Sequence, residues 1–441
     1  MDLPDKILIV GLGATGVAVA KFLSGRGKQI GLADEKSETE LAPTLRALAG
    51  ISYTGHFGPH RKEDFLRYSM IVLSPGVDSE LPVLKEARQK KIRIIGEIEL
   101  ASMFISEPII AITGTNGKTT TTTLIGEIFR KAFGNVFVGG NIGNPLINYV
   151  IEGKPAPYII LEISSFQLET IETFRPNTAI LLNITEDHLD RYRSYGDYKD
   201  AKYRVFENQT EKDYAIINTN VLPVIKGTPK VLPFSTRQEL SEGAFARNGN
   251  LYVRLKGRET VYQREISPLL GVHNTENILT ALLTAHIYDI GRPLIEDALK
   301  SFKGLPHRVE HIRTIKGIRF YNDSKATNVD ATRRALESID GKIILIAGGK
   351  DKGGSYRAIG EVADRIKSLI VIGEAKEKIL KELGGTVKTY AEGTMEGAVK
   401  RAYEVAQSGD MVLLSPMCSS FDMFKDYKDR GNRFRKIVES L

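Results

Sequence analysis

Short apolar runs of strand length alternate along most of the chain with longer stretches of helical periodicity: "KILIVG", "QIGLAD" and "MIVLSPG", then "PIIAITG", "YIILEIS" and "TAILLNI", and finally "KIILIAGG", "SLIVIG" and "MVLLSP". Near-continuous apolar strands separated by amphipathic helices predict parallel sheets with helices on both faces, an α/β fold. The runs fall into three groups. The first ends near "IRIIGEIELASMF", the second opens at "EPIIAITGTNGKTT" and the third follows "GLPHRVE", which predicts domains at 1–98, 99–306 and 307–441. Between Lys212 and Tyr262 the runs become shorter and more polar, the expected mark of a small excursion of antiparallel strands.

A chain of 441 residues is too long for one ordinary core, which agrees with that division. Its single cysteine, Cys418, excludes an intrachain disulfide framework and points to a reducing compartment. The acidic start "MDLPDK" lacks the basic segment and cleavage site of a signal peptide, and no apolar stretch reaches the roughly 18 residues of a membrane span. A soluble cytoplasmic protein is expected. The net charge of +7 is dispersed, so it suits a solvated lysine-rich surface or small anionic substrates, and no nucleic-acid partner is expected.

Two glycine-rich turns carry candidate chemistry. In "ILIVGLGATGVAVAKFL" an apolar strand meets Gly11, Gly13 and Gly16, and Asp34 ends the next apolar run, the spacing of a dinucleotide-binding turn. That motif alone is compatible with a nicotinamide cofactor or with another diphosphate. The second turn is more specific. In "AITGTNGKTTTTTLIGEIF", Gly114 and Gly117 lie between a strand and a helix, where free N–H groups can hold phosphate oxygens. Lys118 supplies charge to the β- and γ-phosphates, and Thr119 offers a hydroxyl to Mg²⁺, so the loop reads as an ATP site although Ile112 stands where the general pattern has its outer glycine. Candidate ligands for Mg²⁺ are expected at the ends of neighbouring strands, where Glu162, with its carboxylate, and His188, with its imidazole, stand.

The segments "TGTNGKTT", "LEISSFQLE", "NITEDHLDRY", "AKYRVFEN", "GVHNTENILTA", "LPHRVE", "YNDSKATN" and "LSPMCSSFDMFKDYKDRG" follow one another in this order across the whole chain. Together they resemble the Mur ligase family, and "NDSKATN" resembles its D-glutamate-adding members, because the ligases that add diamino acids differ there. The resemblance implies a Rossmann-like N-terminal domain, a central P-loop ATPase-like parallel sheet and a Rossmann-like C-terminal domain. It also implies ATP-dependent addition of D-glutamate to UDP-N-acetylmuramoyl-L-alanine through an acyl phosphate in peptidoglycan precursor synthesis, by a monomeric enzyme that closes over its ligands.

The implied ATP loop runs over Gly114, Thr115, Asn116, Gly117, Lys118, Thr119 and Thr120, joined by Asn274 and Asn277 toward the base or ribose and by Arg308 and Asp323 from the third domain. Lys118, His188 and Lys202 are the implied catalytic set. Two Mg²⁺ sites, which Mn²⁺ could fill, are implied at Thr119 and Glu162 and at His188 with Lys202, the lysine being carbamylated; Lys199 is a rival for that role. The D-glutamate pocket is implied at Lys325, Thr327, Lys352, Ser420 and Phe421, with Lys350 competing with Lys352. In the first domain the glycine turn then faces the UDP of the substrate rather than NAD, with Ala14, Thr15, Asp34, Glu35 and Gly76 as contacts and Asn141 on the muramoyl side.

Overall fold

The computed structural model describes residues 3–188, 191–221, 223–339 and 341–441. The apolar runs form three sheets among these residues. In the first, β1 (Lys6–Val10), β2 (Gln29–Asp34), β3 (Tyr53–Phe57), β4 (Met70–Leu73) and β5 (Arg93–Gly96) are all parallel, in the order β3-β2-β1-β4-β5. The order reverses between β1 and β4, which opens a crevice at their carboxyl ends.

The central sheet contains β6 (Ile109–Thr113), β7 (Phe137–Gly140), β8 (Ile159–Glu162), β9 (Thr178–Leu181), β10 (Tyr214–Asn218), β11 (Lys230–Ser235), β12 (Gly243–Arg247), β13 (Asn250–Leu255) and β14 (Arg258–Gln263). Its order is β14-β13-β12-β11-β10-β9-β6-β8-β7, so β6 lies between β8 and β9 and the loops after all three strands converge. The antiparallel excursion is present but shorter than expected: β10 and β11 run parallel to their neighbours, and antiparallel pairing is confined to β12, β13 and β14. The physical reason is local. "YAIIN" buries almost all its side chains as an inner strand, whereas Asn248-Gly249 and Lys256-Gly257 adopt positive φ in two-residue loops that favour tight hairpins.

The third sheet, β15 (Glu310–Ile315), β16 (Ile318–Asn322), β17 (Ile343–Gly348), β18 (Ile366–Ile372), β19 (Thr389–Ala391) and β20 (Met411–Leu414), has the order β15-β16-β20-β17-β18-β19. Only its edge strand β15 is antiparallel. The apolar clusters divide unevenly. One continuous cluster runs from Ile7 and Leu32 of the first sheet through Ile98 and Leu100 to Ile109, Leu161 and Phe174 of the second. The clusters around the third sheet draw only on residues beyond position 308. No helix among the described residues is long and apolar enough to cross a membrane.

Candidate active site

The loop after β6 turns directly into the helix Lys118–Phe133. Gly117 caps that helix with φ of +87°, and a Cβ there would collide with the Asn277 amide oxygen, so only glycine closes this turn against the helix Val272–Ile287. No side chain caps the helix, and its first N–H groups are left to serve a phosphate. The loop is held by the segment after β9: Asn183 accepts from Asn116 N at 2.8 Å through its Oδ1, donates to Asn116 O at 3.0 Å, and accepts from Thr115 N at 2.9 Å through its own carbonyl.

Two lysines converge on one carbonyl. Lys118 Nζ donates to Gly114 O at 2.7 Å and to Thr115 O at 2.8 Å, and Lys202 Nζ donates to Gly114 O at 2.9 Å. Burial lowers the pKa of Lys118, partly opposed by Glu162 and Asp187, and burial with the Lys118 charge holds Lys202 well below the ordinary lysine value. Lys202 is 2% exposed and packs on the Tyr198 ring, whereas Lys199 lies over the Tyr195 ring at 5.1 Å; helical phase therefore turns Lys202, and not its rival, toward the loop.

Glu162 ends β8, buried, with Oε1 accepting from Asn141 Nδ2 at 2.8 Å and Oε2 without any partner. A buried carboxylate oxygen left unpaired is costly unless a cation or donor completes it. His188 has φ of +56°, and burial depresses its pKa, so at neutral pH one of its ring nitrogens is unprotonated and can act as a ligand. Its neighbour Asp187 accepts from Asn328 Nδ2 at 3.1 Å and pairs with Lys352 at 3.3 Å. Burial raises the Asp187 pKa, but Lys352 and His188 outweigh it and hold the carboxyl below its usual value.

These groups surround a cavity of about 270 Å³. The structure brings to it Thr115, Asn116, Gly117, Lys118, Thr119 and Thr120 of the loop, Glu162 and His188 from the neighbouring strand ends, and Asn274 and Asn277 from the helix Val272–Ile287. Asn277 accepts from Thr121 Oγ1 and donates to Asn274 Oδ1, while Gly271, not Asn274, caps the helix. From the third unit come Arg308, Asp323, Lys325, Thr327 and Lys352. Arg308 Nη2 donates to Thr119 Oγ1 at 3.3 Å. Asp323 accepts from Ser415 Oγ at 2.8 Å, and its burial pushes its pKa up to about 7. Lys325 lies 3.9 Å from the Tyr427 ring centroid, with its pKa lowered by burial to about 8.

A second cavity of about 360 Å³ adjoins the first and shares His188, Asp187, Thr327, Asn328 and Lys352 with it. Lys350 lines neither cavity, and its backbone N–H is bonded to Ser419 O. Ser420 and Phe421 are not brought to either cavity: the Ser420 carbonyl closes a turn to Met423 and Phe424, and Phe421 is 69% exposed. Gly114 and Lys202 lie behind the loop and not on the cavity wall.

A third cavity, about 650 Å³, opens at the crevice of the first sheet and is lined by Ala14, Thr15, Asp34, Glu35, Gly76 and Asn141. Asn141 also lines the 270 Å³ cavity and so stands between the two. Both carboxylate oxygens of Asp34 are engaged by backbone, Oδ2 by Leu12 N at 2.8 Å and Oδ1 by Lys36 N at 3.1 Å, so in this structure Asp34 shapes the glycine turn itself.

Sequence reasoning did not single out Asn183, Asp187, Arg334 or Arg430. Asn183 and Asp187 stood inside a quoted segment, at the end of an apolar run where ligand-facing residues collect. Arg334 and Arg430 lie on amphipathic helices with no local signal; Arg334 bridges Glu276 and Asp330, and the fully buried Arg430 donates to Ser324 O, Cys418 O and Ser419 O, fixing two loops of the third unit together.

Three family descriptions match the chain: "Mur ligase MurD-like, N-terminal domain" over 5–96, "Mur ligase middle domain" over 112–285 and "Mur ligase, glutamate ligase domain" over 307–418. A protein of Geotalea daltonii named UDP-N-acetylmuramoylalanine--D-glutamate ligase is 50% identical over 441 residues, spanning 99% of this chain and 97% of its own. One of the same name from Thermoanaerobacter pseudethanolicus is 42% identical, spanning 99% and 98%. Among solved structures, the pseudomurein peptide ligase type C of Methanothermus fervidus shares the fold with a TM-score of 0.62 at 18% identity, over 99% of both chains.

Proposed function

The chain belongs to the Mur ligase family, and on that premise we propose that it joins D-glutamate to UDP-N-acetylmuramoyl-L-alanine with hydrolysis of ATP to ADP and phosphate, in cytoplasmic peptidoglycan precursor synthesis. We assign the work to units 1–98, 99–306 and 307–441, acting within a monomer. The observation that carries this reading is the meeting, in one cavity, of an uncapped phosphate-binding helix with Lys118, the unpaired Glu162 oxygen and Lys352 of the third unit.

In this reading the crevice of the first sheet holds the UDP moiety, and Asn141 marks the path of the muramoyl arm toward the ATP loop. The L-alanine carboxylate attacks the γ-phosphorus, the bond to the β-γ bridging oxygen breaks, and an acyl phosphate and ADP result. The D-glutamate amine then attacks the acyl carbon, loses a proton, and expels phosphate. Every reactant is anionic, so Lys118, Arg308, Lys325 and Lys352 serve as fixed positive charge that needs no reorganisation as negative charge shifts in the transition states. Lys352 and Thr327, on the walls of both adjoining cavities, fit the D-glutamate carboxylates. Ser420 and Phe421 are assigned to that pocket on the family resemblance alone.

The residues also suit Mg²⁺. Glu162 Oε2 lacks a partner, Thr119 offers a hydroxyl, and His188 is held neutral. In this reading Lys202, carbamylated, serves beside His188 as a carboxylate-like ligand. The depressed pKa of Lys202 leaves part of its amine uncharged and nucleophilic, the form that CO₂ converts to a carbamate, and an anion there also relieves its repulsion with Lys118. Mg²⁺ or Mn²⁺, when bound, neutralises charge on the nucleotide phosphates and on the transferring phosphoryl group.

The decisive assay is ADP release with UDP-N-acetylmuramoyl-L-alanine and a panel of amino acids. Turnover is expected with D-glutamate and not with its enantiomer; turnover with L-alanine or a diamino acid, and none with D-glutamate, overturns the reading. Lys202→Ala is expected to lower kcat by roughly 10²–10³-fold, with partial rescue by small added carboxylates. Full activity of Lys202→Ala without a rescue agent removes Lys202 from the mechanism.

A further inference from the structure

The crevice of the first sheet and the ATP cavity lie on different units, and Arg191 stands between them. Its guanidinium donates through Nη1 to Pro75 O at 3.1 Å and through Nη2 to Val77 O at 2.7 Å, gripping the loop whose residues 75–78 wall the 650 Å³ cavity. The same group lies 4.0 Å from the centroid of the Phe166 ring, and the Phe166 ring meets the His188 ring edge to face at 4.9 Å. The backbone completes the link. Arg191 N and Tyr192 N both donate to the carbonyl of His188, a residue with left-handed φ, at 3.0 and 3.1 Å.

Glu169 braces this arrangement, accepting from Tyr192 OH at 2.6 Å, from Ser79 Oγ at 2.9 Å and from Arg191 Nη2 at 3.4 Å. A left-handed non-glycine residue persists only where its surroundings over-determine it, and here those surroundings include a loop of the substrate cavity. The planar fork of arginine suits two carbonyls two residues apart, a geometry that an ammonium group cannot reproduce.

We propose that Arg191 is a positioning residue that transmits occupancy of the UDP-substrate cavity to His188 in the ATP cavity. The proposal rests on the assignment of those two cavities under Proposed function. A ligand seated against residues 75–78 steadies the carbonyls that Arg191 grips, which steadies the His188 turn and the Phe166 ring behind it. Substrate binding then favours the His188 geometry that serves the nucleotide, and by linkage the nucleotide favours substrate to the same degree.

The test is titration of a non-hydrolysable ATP analogue with and without UDP-N-acetylmuramoyl-L-alanine, in magnesium buffer, for the parent, Arg191→Gln and Arg191→Lys. In the parent the substrate is expected to tighten the analogue by about fivefold or more. In Arg191→Gln that factor is expected to fall close to one while each separate Kd moves less than about threefold, and kcat at saturation to drop about tenfold. Arg191→Lys retains the cation over Phe166 and keeps an intermediate factor; it is also the variant to read if Arg191→Gln fails to fold. A merely structural Arg191 lowers the unfolding temperature or both affinities and leaves the coupling factor at the parental value, which overturns the proposal, as does a parent with no coupling. A parent that neither binds the UDP substrate nor releases ADP with D-glutamate removes the functional reading, and this inference with it, and is recognised without any variant.

Discussion

The two junctions of the central unit are built from different materials. Toward the first unit the apolar cluster continues without a break and encloses two carboxylates: Glu99, with no exposed surface, accepts from Glu172 N, Thr173 N, Thr173 Oγ1 and Phe174 N, and Glu97 accepts from Ile147 N through Oε1 while its Oε2 has no partner. Toward the third unit the contacts are polar and flank the cavity: Asn116 with Asp330, Asp187 with Asn328 and Lys352, Glu276 with Arg334, and Thr119 with Arg308. Apolar burial is non-directional and strongly favours the joined state, whereas partly exposed polar pairs contribute little net stability and can exchange for water or ligand. Under the function proposed above, the first unit is expected to act as the fixed platform and the third unit as the one that moves in closure.

The largest effect that sharpens this contrast is expected at the first junction. Glu99→Ala leaves several buried donors unsatisfied and is expected to cost roughly 3 kcal/mol or more, read as a fall in unfolding temperature of several degrees. At the second junction, Arg334→Ala is expected to cost only about 1 kcal/mol while lowering kcat/KM for ATP about tenfold, because Arg334 joins the third unit to Glu276 and lines the 270 Å³ cavity proposed to hold ATP. A larger thermal loss for Arg334→Ala than for Glu99→Ala breaks the comparison.

A further effect, again at the first junction, is one of pH. Burial raises Glu97, at the first junction, to a pKa of about 7, against backbone hydrogen bonds that act to lower it. Its folded pKa lies above the unfolded value of 4.5, so between those limits the unfolded chain holds fewer protons. The stability this group contributes is complete below pH 4.5 and is lost as pH rises toward about 7. Glu97→Gln is expected to reduce the decline in stability between pH 5 and pH 8 by roughly 1–3 kcal/mol, measured by denaturant titration at the two pH values. An unchanged decline assigns the pH dependence elsewhere.

Legibility followed the range of the interactions. Lys118 and Thr119 were readable because a phosphate loop is a local object: strand, glycine turn and helix start within a dozen residues. Glu162 was readable because it ends an apolar run, although the empty valence of its Oε2 was not. The flanking segment favours Lys202 over Lys199 only by resemblance, and the packing of the helix Tyr195–Tyr203, which turns Lys202 inward beside Tyr198, supplies the physical ground. Asp34 kept its place at the crevice, yet its oxygens proved committed to Leu12 and Lys36. The antiparallel excursion was drawn too long because the polar flanks of β10 hid an inner strand.

By itself, the sequence determined what neighbours along the chain can settle: the alternation that makes three α/β sheets, the glycines that bend the two phosphate-sized turns, and the cationic and hydroxyl groups placed beside them. The tertiary structure alone decided that Lys202 joins Lys118 at the Gly114 carbonyl, that Asn141 holds Glu162, that Arg191 ties Pro75 and Val77 to Phe166, and which junction is apolar and which polar. The reason is physical. Backbone conformation answers to residues a few positions away, but a buried polar side chain must find its partner wherever packing brings one, and here those partners lie from 21 to 214 positions away in sequence, as for Asn141 with Glu162 and Asn116 with Asp330.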